Sequence, residues 1–492
     1  MAWKNEIGLK NKKWTKEEFF AARKEVLGRW PTGKEIEDLD AAVAFQKGLA
    51  DEKVYAKAMA KAKKEDRVLI EIGVGVADID KQIAHMKALE EAGADSFLIQ
   101  ADTYTRRAMY KEAQAGRDGS LTDGKSRLNG FPHVTYGTKA CRKISDAINR
   151  PIRCVGAADQ MPQLSAEIGF ASGFTCNSAY DLHSLAQHCK DYPLDKQIQN
   201  AQYLNWLAGY YTAHGAPIEL NLYGGVHGWS PPSTMSAMVV LHGILLAEQG
   251  GKHVSAGSGM MCNVLQDAAR LRVDSELLQE YWKRYGYNDM VLSSMTWPWM
   301  GDWPKDVFQN AGLTALSVVT AVLGGANWIY VKSTMEAGSV PNEQANIAGL
   351  NVAKQVIRTM GSQKLHDHKE FLVEKEMMKK EARAIIERTI ELGDGDVAIG
   401  VVKAVEQGVI DVPFSPWIGF KGEVVPVRDS TGALRYLKTA NLPFDKEIIE
   451  WNREKIAERE KRQNRKADLE MIIADMTERS MPIVPKKRSA SR

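Results

Sequence analysis

The sequence predicts an α/β protein: a (β/α)8 TIM barrel with an N-terminal helical extension and a smaller C-terminal α+β region. Three observations lead there. Eight short, strand-like apolar runs recur between residues 68 and 333, and helix-type patterns rich in Ala, Leu, Glu and Lys separate them. Nearly all of these runs end in Gly, Ser, Thr, Asn or a charged residue. Alternating strands and helices pair as a parallel sheet, and eight units over roughly 270 residues are what a closed barrel needs. In that fold chemistry sits at the C-terminal strand ends.

In chain order, residues 1–66 read as a helical, charged extension broken at Pro31-Thr32-Gly33, wrapping the bottom or side of the barrel. Residues 67–360 form the barrel, with strands expected at Val68–Ala77, Ser96–Tyr104, Ile152–Ala158, Gly173–Ala179, Ile218–Gly224, His253–Gly259, Met290–Trp297 and Asn327–Ser333. The interval between the second and third strands has room for a helix plus a long loop through Gly116–Gly124 and Leu128-Asn129-Gly130-Phe131-Pro132. Loops of that length are functional or disordered, and Phe131, Tyr136 and Cys141 argue for order. Residues 361–480 form an α+β cap region, with helices at Phe371–Gly393 and Glu447–Met476 around strand pieces Glu423–Val427 and Ala433–Leu437. Residues 481–492 are a flexible basic tail.

Bulk chemistry excludes several classes. A balance of 65 Lys+Arg against 62 Asp+Glu in 492 residues is too even to argue for nucleic acid or an anionic membrane. Five scattered cysteines without a C-x-x-C fit a reducing cytosol, and no apolar run approaches the length of a bilayer span. With no secretion signal, the expected location is the cytoplasm. G-x-S-x-G, H-E-x-x-H and P-loop patterns are absent, and His183, His188 and Cys189 are too loosely spaced for a metal triad.

The strand ends hold the candidates. Gly73 and Gly75 mark a close approach by a ligand or by bulky neighbours filling the barrel centre. Arg106, just past the second strand, is a surface residue or a planar fork for a carboxylate or phosphate. Lys332 and Glu336 are a surface i,i+4 pair or a donor and an acceptor for a polar ligand at the mouth. Trp297, Trp299 and Trp303 serve core packing, a planar cofactor or a partner subunit.

The chain resembles the large catalytic (epsilon, or E) subunit of glutamate mutase, also called methylaspartate mutase. The likeness rests on Trp30-Pro31-Thr32-Gly33-Lys34-Glu35, Tyr104-Thr105-Arg106, Leu128-Asn129-Gly130-Phe131-Pro132 and Tyr136-Gly137. Cys141-Arg142-Lys143, Pro231-Pro232-Ser233, Tyr285-Gly286-Tyr287-Asn288-Asp289 and Trp299-Met300-Gly301 add to it. Glu391-Leu392-Gly393, Pro426-Val427-Arg428-Asp429 and Asn441-Leu442-Pro443-Phe444 extend it, so that it covers roughly 10 to 480. The resemblance implies a barrel closed by adenosylcobalamin, which is carried on a small cobalamin-binding subunit with an Asp-x-His-x-x-Gly loop. It also implies a heterotetramer containing two copies of this chain, and a radical rearrangement of L-glutamate to threo-3-methylaspartate. No Asp-x-His-x-x-Gly occurs here, so the Trp-rich rim becomes the expected docking face.

Cofactor positions carry over. Lys332 and Glu336 match the pair that holds the adenosyl ribose, and Gly75 and Asn129 match cobalamin contacts. Trp303, in place of a Phe, and Val340 keep apolar contact positions. The substrate side departs. Of three family arginines only Arg106 remains; the others fall at Gly73 and at Val155, beside Gly156 where the family has His. The acid that meets the substrate ammonium falls at Ser178, and two tyrosines fall at about Ser184 and His188. Each missing arginine removes a charge-assisted bond, and a dicarboxylate in a dry barrel would then carry an uncompensated charge costing several kcal/mol. The expected substrate is a small carboxylic acid less anionic than glutamate. By the two-residue strand period and the shared layers of odd strands, Glu71 and Arg153 are expected to pair beneath the pocket. The competing reading is a non-catalytic barrel that kept the partner surface and lost turnover.

Overall fold

The computed structural model describes residues 3–155, 161–179, 182, 185–186, 189–224, 229–337 and 342–481. Eight parallel strands close in sequence order: β1 (Leu69–Val74), β2 (Ser96–Gln100), β3 (Ile152–Val155), β4 (Cys176–Ser178), β5 (Glu219–Tyr223), β6 (His253–Met260), β7 (Val291–Trp299) and β8 (Trp328–Val331). Closure is made by β8 on β1, with Leu69 opposite Trp328 and Glu71 opposite Tyr330. Outward positions such as Ile70, Ile72, Phe97, Ile99, Ile329 and Val331 are buried against the surrounding helices and form one apolar layer. Burial of that layer contributes roughly 1.5–3 kcal/mol per large side chain.

The extension before β1 seals the floor. Helix Tyr55–Lys64 brings Tyr55 and Met59 into a cluster with Leu69, Cys176, Met295 and Trp328, inside the sheet. Further out, helix Lys16–Gly28 starts on a capping box between Thr15 and Glu18. It is tied to the barrel by the buried Arg23–Glu167 pair at 2.9 Å.

After β8, helix Lys369–Leu392 packs on barrel helices Pro232–Glu248 and Val264–Arg284. The antiparallel hairpin β9 (Val425–Arg428) and β10 (Leu434–Lys438) joins it through Arg435, which bonds Glu374 and Asp429 in the interior.

Four expectations are corrected. β2 stops at Gln100, because Asp102 caps a short helical turn, Thr103–Arg106, and redirects the chain. Gly116 and Gly119 lie in helix Tyr110–Asp123 and not in a loop; side chains there would meet Leu128 and Arg127. The helix expected over Glu447–Met476 is two helices, Lys446–Gln463 and Leu469–Thr477, parted by Asn464 at φ 48°. Helix Val307–Gly324, with mean hydropathy 1.5, does reach the length and apolarity of a bilayer span. It packs against β7 and helix Glu343–Met360 as an ordinary barrel helix.

Candidate active site

Inside the barrel, above the Tyr55 floor, Glu71 and Arg153 form a fully buried ion pair. Arg153 Nε donates to Glu71 Oε1 at 3.0 Å and its Nη2 donates to Oε2. Tyr55 donates its hydroxyl to the same Oε1 at 2.9 Å. Trp297 and Trp328 lie 5.0 and 5.2 Å from the guanidinium carbon, adding cation–π attraction in a dry setting. Burial alone would lower the Arg153 ionisation, but the Glu71 carboxylate overrides it and holds the guanidinium protonated. The pair expected from strand period is present, and it cancels the charge of Arg153 where a substrate would feel it.

Higher in the barrel the inward positions become accessible. Gly73 on β1, Gln100 on β2, Trp297 on β7 and Tyr330 on β8 keep partial exposure, while their outward neighbours Ile72, Ile99, Thr296 and Ile329 are buried. That alternation outlines an open interior bounded by these four strands. The wall is aromatic: Trp297 and Tyr330 rings pack at 4.5 Å, and Tyr223 meets Trp297 edge-on at 5.2 Å. On the opposite side Ser178 lies in register with Asn221, which is 1 % exposed and whose carboxamide has no hydrogen-bond partner among the described residues. Such a group costs about 1–3 kcal/mol until something pairs with it. Below it Glu219 is fully enclosed, accepts a bond from Ser255, and is pushed up by burial to about 7.

The β2 end supplies a cation with no ion-pair partner among the described residues. Arg106 Nη2 donates to Thr103 Oγ1 at 3.2 Å, while its Nε is buried with no partner among the described residues. Asn129 reaches the same threonine: its Oδ1 accepts from the Thr103 backbone N–H at 2.9 Å, and its Nδ2 donates to Thr103 Oγ1 at 2.9 Å. Thr103 thus links Asn129 to Arg106. Gly75 belongs to this wall as well. A Cβ there would lie 2.9 Å from the Gln100 carbonyl and 3.0 Å from the Gly130 Cα, so the protein's own backbone already requires glycine.

At the β8 end Lys332, 9 % exposed, donates to Glu336 at 2.5 Å, in a turn and not on a starting helix. The ammonium lies 5.3 Å from the Trp303 ring. These three residues line a cleft of about 900 Å³ that also includes Gly301, Gln309 and Ser480. The tryptophans are largely consumed in packing. Trp299 is buried beneath Arg479, Trp303 donates its indole N–H to the Trp299 carbonyl at 2.8 Å, and Trp297 belongs to the barrel interior. Exposed apolar residues at this rim are Phe308, at 85 %, and its neighbour Val307, at 46 %.

Lys332, Glu336 and Trp303 therefore share one cleft, and Arg106, Asn129 and Gly75 share one wall. Val155 closes β3, its side chain lying outside the description, and Gly156, Ser184, His188 and Val340 lie outside the described residues. Sequence reasoning missed Thr103, Asn221 and Tyr330. A capping Asp102-Thr103 pair signals the turn, and the inward period of β5 and β8 places Asn221 and Tyr330 on the interior face.

The profile of the Methylaspartate mutase E chain family matches residues 49–483. Glutamate mutase epsilon subunits are similar over nearly the whole length. That of Desulfitobacterium hafniense (strain Y51) is 37 % identical over 472 residues, covering 96 % of this chain and 97 % of the relative. Those of Treponema denticola and Escherichia coli O157:H7 are 36 % and 35 % identical over 470 residues, covering 95 % of this chain and 96 % and 97 % of the relatives. The barrel, its mouth and this full-length similarity together make the chain a member of the methylaspartate mutase E chain family.

Proposed function

We propose that this chain is the catalytic subunit of an adenosylcobalamin-dependent carbon-skeleton mutase acting on a carboxylic acid less anionic than glutamate. It works with a small cobalamin-binding subunit that carries the Asp-x-His-x-x-Gly loop, in a cytoplasmic heterotetramer with two copies of this chain. The observation that carries the reading is the Lys332–Glu336 pair in the cleft beside Trp303. A cation and a carboxylate fixed side by side offer a donor and an acceptor to neighbouring ribose hydroxyls, and an indole offers an apolar face. The donor set fits the adenosyl group of the cofactor. When bound, adenosylcobalamin supplies the hydrogen-abstracting radical chemistry.

This chain's residues bind, orient and keep water out. Arg106, with its unpaired Nε, is suited to one carboxylate, and Thr103 fixes its planar fork. Around the rest of the substrate stand Gly73, Ser178, Asn221, Trp297 and Tyr330, all uncharged, while Arg153 is committed to Glu71. A second carboxylate would find no free cation among these residues, and that supports the altered substrate.

The test reconstitutes both subunits with adenosylcobalamin and follows cob(II)alamin absorbance while candidate monocarboxylic and dicarboxylic acids are added. A signal with an acid of single charge, lost in Arg106→Ala, supports the reading. A full signal with glutamate overturns the substrate assignment, and no signal with any acid favours the non-catalytic barrel.

A further inference from the structure

The inner face of β1 is bare at position 73, and a phenol fills the gap. A side-chain carbon built on Gly73 would lie 2.4 Å from the Tyr330 hydroxyl oxygen and 3.3 Å from two atoms of its ring. The ring is held in place by Trp297 at 4.5 Å, itself braced by Tyr223. Tyr330 is half-buried on the inward face of β8, which sets its ring beside the open interior. Burial and the carboxylates of Glu336 and Glu71 hold its ionisation well above the ordinary phenol range. It therefore offers one neutral donor and one neutral acceptor.

Charge at this end of the cavity disfavours an anion. The indole face of Trp297 is the negative side of its quadrupole, and Arg153, 5.0 Å from that ring, is neutralised by Glu71. We propose that Tyr330 is the specificity-determining residue of the site. It occupies the space of a side chain at position 73 and hydrogen-bonds an uncharged polar group, a carboxamide or hydroxyl, at the substrate end remote from Arg106. This proposal rests on the mutase reading above and names the substrate class for it: monocarboxylates with a neutral polar terminus.

The test uses L-glutamine and L-glutamate, which differ in shape hardly at all and in charge by one. Their equilibrium binding to the reconstituted, cofactor-loaded complex is measured by calorimetry. Glutamine is expected to bind at least about tenfold tighter than glutamate, the size of one net hydrogen bond. Y330F should weaken glutamine about tenfold and leave glutamate unchanged, and the pair Y330A/G73R should reverse the preference. A wild-type preference for glutamate, an unchanged ratio in Y330F, or no binding of either probe overturns the proposal.

The chain alone provides a second arm. G73A should lower the melting temperature in the wild type and not in a Y330A background; equal effects in both would place the phenol elsewhere. Uptake of adenosylcobalamin by the complex, read from its visible spectrum, separates the two claims. Normal uptake with an unchanged Y330F ratio removes the role of Tyr330 alone. No uptake removes the mutase reading and the substrate class with it.

Discussion

Replacing Arg153 with methionine leaves the Glu71 carboxylate buried without its cation. Both side chains are 0 % exposed, and Glu71 receives two bonds from Arg153 and one from Tyr55. At a charge separation of about 4 Å and an effective dielectric of about 20, the lost attraction is about 4 kcal/mol. That lies within the range of about 3–5 kcal/mol for breaking a buried pair from one side. Arg153→Met is therefore expected to lower the unfolding free energy by about 4 kcal/mol, whereas Glu71→Met/Arg153→Met should fall within about 1 kcal/mol of the wild type. Tyr55 keeps a contact in the double variant, because Ser96 Oγ lies 3.2 Å from its hydroxyl. The assay is urea unfolding followed by tryptophan fluorescence, since Trp297 and Trp328 flank the guanidinium and report on it directly. A single variant that loses less than about 1 kcal/mol, or a double variant as damaged as the single, would refute the reasoning. Glu71→Gln extends the test to function: it frees the Arg153 charge under the cavity, and glutamate binding to the complex should rise.

Other predictions concern separate parts of the molecule. Lys332→Ala should weaken adenosylcobalamin binding by the reconstituted complex roughly tenfold or more while leaving the melting temperature of the free chain unchanged, because the charge-assisted bond it makes is to a partly exposed Glu336. Gly75→Ala should destabilise the cofactor-free chain by about 1–3 kcal/mol, as its Cβ meets the Gln100 carbonyl and Gly130 backbone; an unaffected melting temperature would argue that glycine is kept there for a ligand. Glu219 carries a pH signature. Its carboxyl is raised by burial from 4.5 to about 7, so the folded state holds the proton where the unfolded state has released it. The stabilisation is full below about 4.5 and is lost as pH rises toward about 7, up to about 3 kcal/mol at about 1.4 kcal/mol per unit. Glu219→Gln should therefore gain stability relative to the wild type between pH 4.5 and 8 in parallel urea titrations.

Strand order and the Glu71–Arg153 pair were legible because both follow from periodicity. A two-residue alternation tells which side chains face inward, and odd strands share layers whatever lies between them. What escaped depended on register and on competition for the same groups. Tyr330 fills the space at Gly73 from a strand at the far end of the barrel sequence, and only the β8–β1 alignment of Glu71 with Tyr330 brings them together. The aromatic run Trp297–Trp303 is open in the sequence to core packing, a planar cofactor or a partner subunit, and only the fold divides its indoles between the interior, Arg479 and Lys332. At Gly75 the sequence leaves open a ligand or bulky neighbours, and the fold adds a third occupant of the missing side chain's space, the Gln100 carbonyl and the Gly130 backbone. The break at Asn464 carried a local signal, since asparagine tolerates the left-handed conformation, but the surrounding charge pattern read as one helix.

The order of synthesis gives Tyr55 a consequence for how the barrel comes together. The plug leaves the ribosome before any of the strands it seals, and its acceptor Glu71 follows soon after. Arg153, which neutralises that acid, comes 82 residues behind Glu71, and Trp328, which completes the floor, arrives only with the last strand. During elongation the nascent segment therefore carries an unneutralised carboxylate and a tyrosine waiting for a wall. Contacts of such wide sequence separation make folding slow. They also make the floor the last part to lock, so interruption of elongation before residue 328 should leave a chain open at its base and susceptible to proteases there.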